Sequence, residues 1–137
     1  QDRHSGIIKA VTEGQSKART FKTKVGVAVE MADGKIFTAG NIENTSRSWD
    51  DHAEKIAVIS ALMAGYQKKD FVAMAITTTA YTDYSCPACA YCRQYLWENT
   101  HPNLLLIDTQ SDGSVSLAMP LKISYMLPWP RTIKPII

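Results

Sequence analysis

The sequence predicts an α/β domain, with helices layered on a mixed sheet, and three observations carry that expectation. Segments of helical periodicity alternate with short apolar and β-branched runs along the whole chain. The first two runs are joined through Asp33-Gly34 and the last two through a connection containing Asp112-Gly113; both are too short for a parallel crossover, so each pair is antiparallel. The 137 residues, 45% of them hydrophobic, suit one core and show no repeat, linker or composition break, so residues 1–137 read as a single domain.

The elements follow in order. Ile7, Ile8, Ala10 and Val11 recur at helical spacing within residues 5–18, an amphipathic helix that gives way to the basic stretch 17–24. Residues 25–29 and 35–39 form the first hairpin, its strands rich in valine and alanine, then isoleucine and phenylalanine. A polar loop, 41–51, precedes a second helix over 52–66 that is apolar nearly all round and is therefore expected to be buried on most sides. Residues 71–79 read as a central strand, and a polar loop then leads to the cysteines. A third helix spans 89–99 and breaks at His101-Pro102-Asn103. Residues 104–107 and 115–118 make the second hairpin. Pro120 is placed at the first position of a closing helix over 121–127, which Pro128 and Pro130 stop.

Charge narrows the function classes. Lys and Arg number 15 against 13 Asp and Glu, and a net charge of +2 gives no strong field for a polyanion, so nucleic acid is disfavoured as a partner. No run of 18 apolar residues is present and residues 1–19 are polar, which points to a soluble, cytoplasmic protein without a membrane partner. The first residue is Gln1 rather than Met, which leaves upstream residues open. All three cysteines, Cys86, Cys89 and Cys92, fall within seven residues, a crowding that suits a metal or redox site better than a disulfide framework.

The chemistry gathers at two helix starts. His52-Ala53-Glu54 opens one helix and Cys89-Ala90-Tyr91-Cys92 the next, and a helix start offers free N–H groups and the positive end of a dipole, which favours thiolates. Cys89 and Cys92, three apart, share a face and can bind one ion together. An ion over the helix end is reached by His52, while Glu54 reaches a water on it. Three protein ligands and one open position make a catalytic zinc arrangement; a structural site has four ligands. Each motif alone is weak, because His-x-Glu arises by chance and Cys-x-x-Cys is as often redox-active or incidental. His-x-Glu followed by Pro-Cys-x-x-Cys is the pattern of zinc-dependent base deaminases.

The sequence resembles the cytidine deaminase family, in particular its small homotetrameric members acting on free nucleosides. The matching pieces are the run from Asp33-Gly34-Lys35 through Gly40-Asn41-Ile42-Glu43-Asn44, His52-Ala53-Glu54, Cys89 to Cys92 leading into Arg93-Gln94 and Glu98, and Leu127-Pro128. The resemblance implies a three-layer α/β/α fold on a five-stranded mixed sheet whose last two strands are antiparallel. It implies one Zn²⁺ per subunit held by His52, Cys89 and Cys92, with Glu54 as proton shuttle and Asn41 and Glu43 hydrogen-bonding the ribose. The reaction it implies is hydrolytic deamination of a cytidine- or deoxycytidine-like nucleoside to the uridine product, with a zinc-activated hydroxide as nucleophile, in a homotetramer.

Several positions depart from the family pattern. Ala88 stands where proline usually precedes the first zinc cysteine, and Cys86 and Cys89 are also three apart, so the register has two solutions; Arg93-Gln94 directly after Cys92 favours Cys89 and Cys92. Cys86 is then a loop thiol. Thr23 and Arg47 replace a frequent aromatic and a frequent tyrosine, which leaves the particular nucleoside open, and Trp129 is a candidate for the family's C-terminal aromatic. Lys55 follows Glu54 where three-cysteine members carry arginine. The alternative readings are a deaminase of a modified or antibiotic aminonucleoside, a deaminase of a base in single-stranded nucleic acid, a structural zinc module and a thiol redox protein. A structural zinc module leaves Glu54 without a task, and nothing else around Cys89 resembles a thioredoxin-type unit.

Overall fold

The computed structural model describes residues 4–79, 88–110 and 112–124. In chain order the elements are α1 (Ser5–Ser16), β1 (Val25–Met31), β2 (Ile36–Gly40), α2 (Ala53–Met63), β3 (Phe71–Thr78), α3 (Ala90–Asn99), β4 (Leu105–Thr109), β5 (Val115–Pro120) and α4 (Leu121–Ser124), with short 3₁₀ turns at Arg47–Trp49 and Lys68–Asp70. The strands form one sheet in the order β2-β1-β3-β4-β5. Among the described strands only β3 and β4 pair in parallel; the β1–β2 and β4–β5 hairpins are antiparallel, as their short connections require, and so is the β1–β3 pair. The expected α/β fold with a five-stranded mixed sheet and an antiparallel final pair is the one observed.

Strand alternation divides the core in two. Along β1, Val27, Val29 and Met31 join a cluster with Ala57, Val58, Cys92 and Leu96 from α2 and α3, while Ala28 faces Ile7 and Val11 of α1. The sheet therefore separates α1 from α2 and α3, giving three layers. On the α1 side the strands present small residues, Ala28, Ala73 and Ala75. Glycine lets the helix settle still closer. Gly26 and Gly40 are register partners on β1 and β2, and a methyl group on Gly26 would stand 2.4 Å from the Gln15 backbone nitrogen and 2.6 Å from the Val11 carbonyl oxygen. Backbone cannot swing away as a side-chain tip can, so Gly26→Ala is expected to destabilise the fold by about 1–3 kcal/mol, read as a lower urea midpoint with unchanged slope.

Three details differ from the sequence expectation. Helix α2 buries one face only: Ala53, Ala57, Val58 and Ala61 join the core cluster formed with the sheet and Glu54 is buried at the helix start, whereas Ile59 is 39% and Met63 79% exposed, because the sheet covers a helix from one side. Pro120 is the last residue of β5, paired with Leu105, and α4 begins after it at Leu121. An edge strand tolerates proline, which lacks only the donor such a strand has no neighbour to receive. Strand β1 runs on to Met31 because both of its neighbours continue the ladder there, Glu30 pairing with Ile36 and Ala73. Cys86, Leu127, Pro128, Trp129 and Pro130 lie outside the described residues, as does the side chain of Arg47.

Candidate metal centre and active site

Topology brings the two helix starts together. Strands β2 and β3 are each antiparallel to β1 between them, so they run in the same direction and end at the same edge of the sheet. Helices α2 and α3 follow those strands in the chain and pack on the same face. Binding sites of α/β sheets form at the carboxyl ends of such strands. Strand β1 begins at that edge, Val25 pairing with Thr78, so the segment before it arrives there too. A small three-segment ladder fixes the loops: Arg19 bridges Ile42 in parallel, and Ile42 bridges Asp51 in antiparallel, one residue before His52.

His52 and Cys89 are the N-caps of α2 and α3, both in extended conformation. The imidazole makes no capping hydrogen bond, which leaves it available, and its Nδ1 lies 3.1 Å from Cys92 Sγ and 3.6 Å from Cys89 Sγ. Cys89 Sγ accepts a hydrogen bond from the Cys92 backbone N–H at 3.4 Å, the orphan donor of the first turn of α3. The three ligand atoms all fall within 4.8 Å of one another, with Cys92 1% exposed. One imidazole nitrogen and two sulfurs, partly desolvated at two helix N-termini, match the donor set and charge that zinc takes.

The electrostatics agree. Cys89 is held down to about 4, first by its hydrogen bond with Cys92, whereas the Cys92 thiol is pushed far up by Cys89 and by burial. Two adjacent sulfurs thus share one proton, which a divalent cation would displace. Hydrogen bonding to Cys89 raises His52. Glu54, in the first turn of α2 and 6% exposed, is pushed up to about 7, chiefly by burial and then by the charge on Cys89. A carboxyl poised near neutrality beside a metal donor set is suited to passing protons.

Asn41 and Glu43 lie in the loop after β2 and are nearly buried. Asn41 Oδ1 accepts from Val25 N at 2.8 Å and its Nδ2 donates to Thr23 O at 2.9 Å. The Glu43 carboxylate accepts from the backbone N–H groups of Phe21, Lys22 and Thr23 at 2.6, 2.8 and 3.3 Å. Both side chains therefore pin the segment leading into β1, a task their positions in the sequence did not announce. Asn44 closes the next loop, its N–H donating to Asp50 Oδ1 at 2.6 Å and its Nδ2 to Trp49 O at 2.8 Å.

Two neighbours of the cysteines gained roles only in three dimensions. Arg93 is 2% exposed and its Nη1 donates to the Ser124 carbonyl, anchoring α4 to the start of α3. Tyr91, between the two cysteines, sets its ring against His52. Lys55 lies over the Tyr95 ring at 5.8 Å, joining α2 to α3. An aromatic at i and i+4 on α3 was the available signal for Tyr91 and Tyr95.

Sheet and donor set together define a class, α/β/α proteins with a three-donor site that suits zinc. Residues 2–106 match the family model of the cytidine and deoxycytidylate deaminase zinc-binding region. A cytidine deaminase of Halalkalibacterium halodurans is 37% identical over 75 residues, 55% of this chain and 54% of that protein, so the chain spans about half the length of that curated relative. Among solved structures, cytidine deaminase from Burkholderia pseudomallei superimposes with a TM-score of 0.80 at 32% identity, covering 88% of this chain and 94% of that one. Cytidine deaminase from Mycobacterium leprae shares the fold, with a TM-score of 0.71 at 21% identity over 91% of this chain and 98% of that one. The chain belongs to the cytidine and deoxycytidylate deaminase family, and His52, Cys89 and Cys92 fit one zinc ion per chain.

Proposed function

We propose that the chain is a zinc-dependent hydrolytic deaminase that converts a cytidine- or deoxycytidine-like nucleoside to the uridine product and ammonia. One observation carries the reading: a buried carboxyl, Glu54, stands two residues after His52 of a three-donor cluster, where a four-ligand structural site would have no use for it. Family membership and the 32% identical solved cytidine deaminase support the same chemistry.

When bound at His52, Cys89 and Cys92, zinc supplies a Lewis acid and lowers the pKa of water at its open position. Glu54 takes the proton of the attacking water and gives it to the ring nitrogen beside the amino-bearing carbon. It then takes the remaining proton of the hydroxyl now on that carbon and passes it to the departing amine, so that the carbon–nitrogen bond breaks and water and an amine become a carbonyl and ammonia. Burial, which raises Glu54 above the ordinary carboxylate range, favours its holding a proton between the two transfers. Asn41 and Glu43 are the residues proposed to hydrogen-bond the sugar. Their hold on residues 21–25 would keep the wall of that subsite in place.

A homotetramer is the proposed assembly, and the outward Ile59 and Met63 of α2 support burial against another copy. The proposed location is cytoplasmic; among the described residues no helix is long and apolar enough to cross a membrane. The test is a substrate panel of cytidine, deoxycytidine, their methylated forms, adenosine-type and antibiotic nucleosides, followed by loss of amine absorbance. Turnover of a cytidine-type nucleoside is expected. Activity on single-stranded nucleic acid with none on any free nucleoside would overturn the reading.

A further inference from the structure

His52 presents an unusual problem of orientation. Its imidazole caps no helix N–H, and beyond the contacts of Nδ1 with the two sulfurs the torsion that turns the ring is two-fold and soft, so a half-turn would replace Nδ1 by a carbon in front of them. A metal ligand needs that torsion settled before the ion arrives. Tyr91 stands where it can settle it. Its ring centroid is 5.2 Å from that of His52 with an interplanar angle of 54°, a tilted aromatic contact, and its outer side is left to solvent at 57% exposure. One turn further along the same face of α3, Tyr95 receives Lys55 of α2 at 5.8 Å. The two contacts align residues 52 and 55 of α2 with 91 and 95 of α3, so they brace the helix starts against each other at the metal donors.

We propose that Tyr91 is a positioning residue for the metal site: its ring holds the His52 imidazole with Nδ1 toward Cys89 and Cys92 and covers it from the solvent side. The inference rests on the zinc reading of the site. A tyrosine exposed on one side contributes little to the core, so its removal bears on the ligand more than on the fold.

The experiment measures zinc affinity of the full chain by competition with a chromogenic chelator, together with thermal unfolding of the metal-free forms. Tyr91→Ala is expected to weaken zinc about 10-fold, with the metal-free melting temperature unchanged. Tyr91→Phe, which keeps the ring and loses the hydroxyl, is expected to restore wild-type affinity. If the alanine variant does not fold, Tyr91→Leu, which keeps bulk without a ring, replaces it with the same expectation. Wild-type affinity in the ringless variant overturns the role of Tyr91 while leaving the zinc reading intact. A metal-free melting temperature that falls in proportion to affinity, or a phenylalanine variant as weak as alanine, also overturns it. A wild-type chain that takes up no zinc sinks both readings.

Discussion

Glu54→Gln is expected to lower kcat by about 10²- to 10⁴-fold, the usual contribution of a positioned proton carrier, while zinc content stays at the wild-type level. Glutamine keeps the size and the acceptor oxygen but can neither take nor return a proton. A structural carboxyl would behave differently, with activity and zinc falling together. The same variant carries a pH signature in the metal-free protein. Burial raises the folded-state value of Glu54 to about 7, above that of an unfolded chain. The contribution of such a group is present below its unfolded value and is lost as pH rises through about 7. Glu54→Gln should therefore be more stable to urea than the wild type at pH 8, with the difference gone at pH 4. Equal midpoints at pH 8 would show that the carboxyl is not held in a desolvated place.

Cys92→Ser is expected to lose zinc, with affinity falling by at least about 100-fold, more than is usual for residues that merely support a ligand. Cys86→Ser should keep it. Cys92 Sγ, nearly buried at 1% exposure and 3.1 Å from His52 Nδ1, is central to the donor set. A hydroxyl is a far poorer zinc ligand than a thiolate. Metal content after dialysis reads the result, and activity should follow metal rather than protein concentration. Zinc binding by the wild type should also weaken as pH falls, because ligation must displace the protons that Cys92 and His52 hold more tightly than usual. Retention of zinc in Cys92→Ser with its loss in Cys86→Ser would move the ligand register back by one step.

Legibility differed between residues for physical reasons. The hairpins announced themselves because Asp33-Gly34 and Asp112-Gly113 encode a turn locally, and Gly34 and Gly113 indeed take positive φ values of 90° and 86°. The helix start at Cys89 was legible because Cys89 and Cys92 recur at a spacing that a helix converts into a shared face, and the start at His52 because the polar loop 41–51 gives way there to an apolar run. Burial was less legible. Ile59 and Met63 look like core in a linear pattern, yet whether a side chain of α2 meets the sheet depends on where the neighbouring elements end. The work of Asn41 and Glu43 on residues 21–25 was hidden too, since their partners are backbone groups 16 to 22 positions away.

By itself the sequence determined the order of elements, the two antiparallel hairpins and the residue types of the donor set with its glutamate, because these depend on local periodicity, turn chemistry and short spacing. Only the tertiary structure decided that β2 and β3 end at one edge of the sheet and so carry His52 to Cys89 and Cys92 across 37 and 40 positions of chain. It also decided that Glu54 is buried beside them and that Tyr91 rests on the imidazole. Proximity across such distances is a property of strand pairing and packing, which no local pattern records, and the pKa of a carboxyl follows from what surrounds it rather than from its neighbours in the chain.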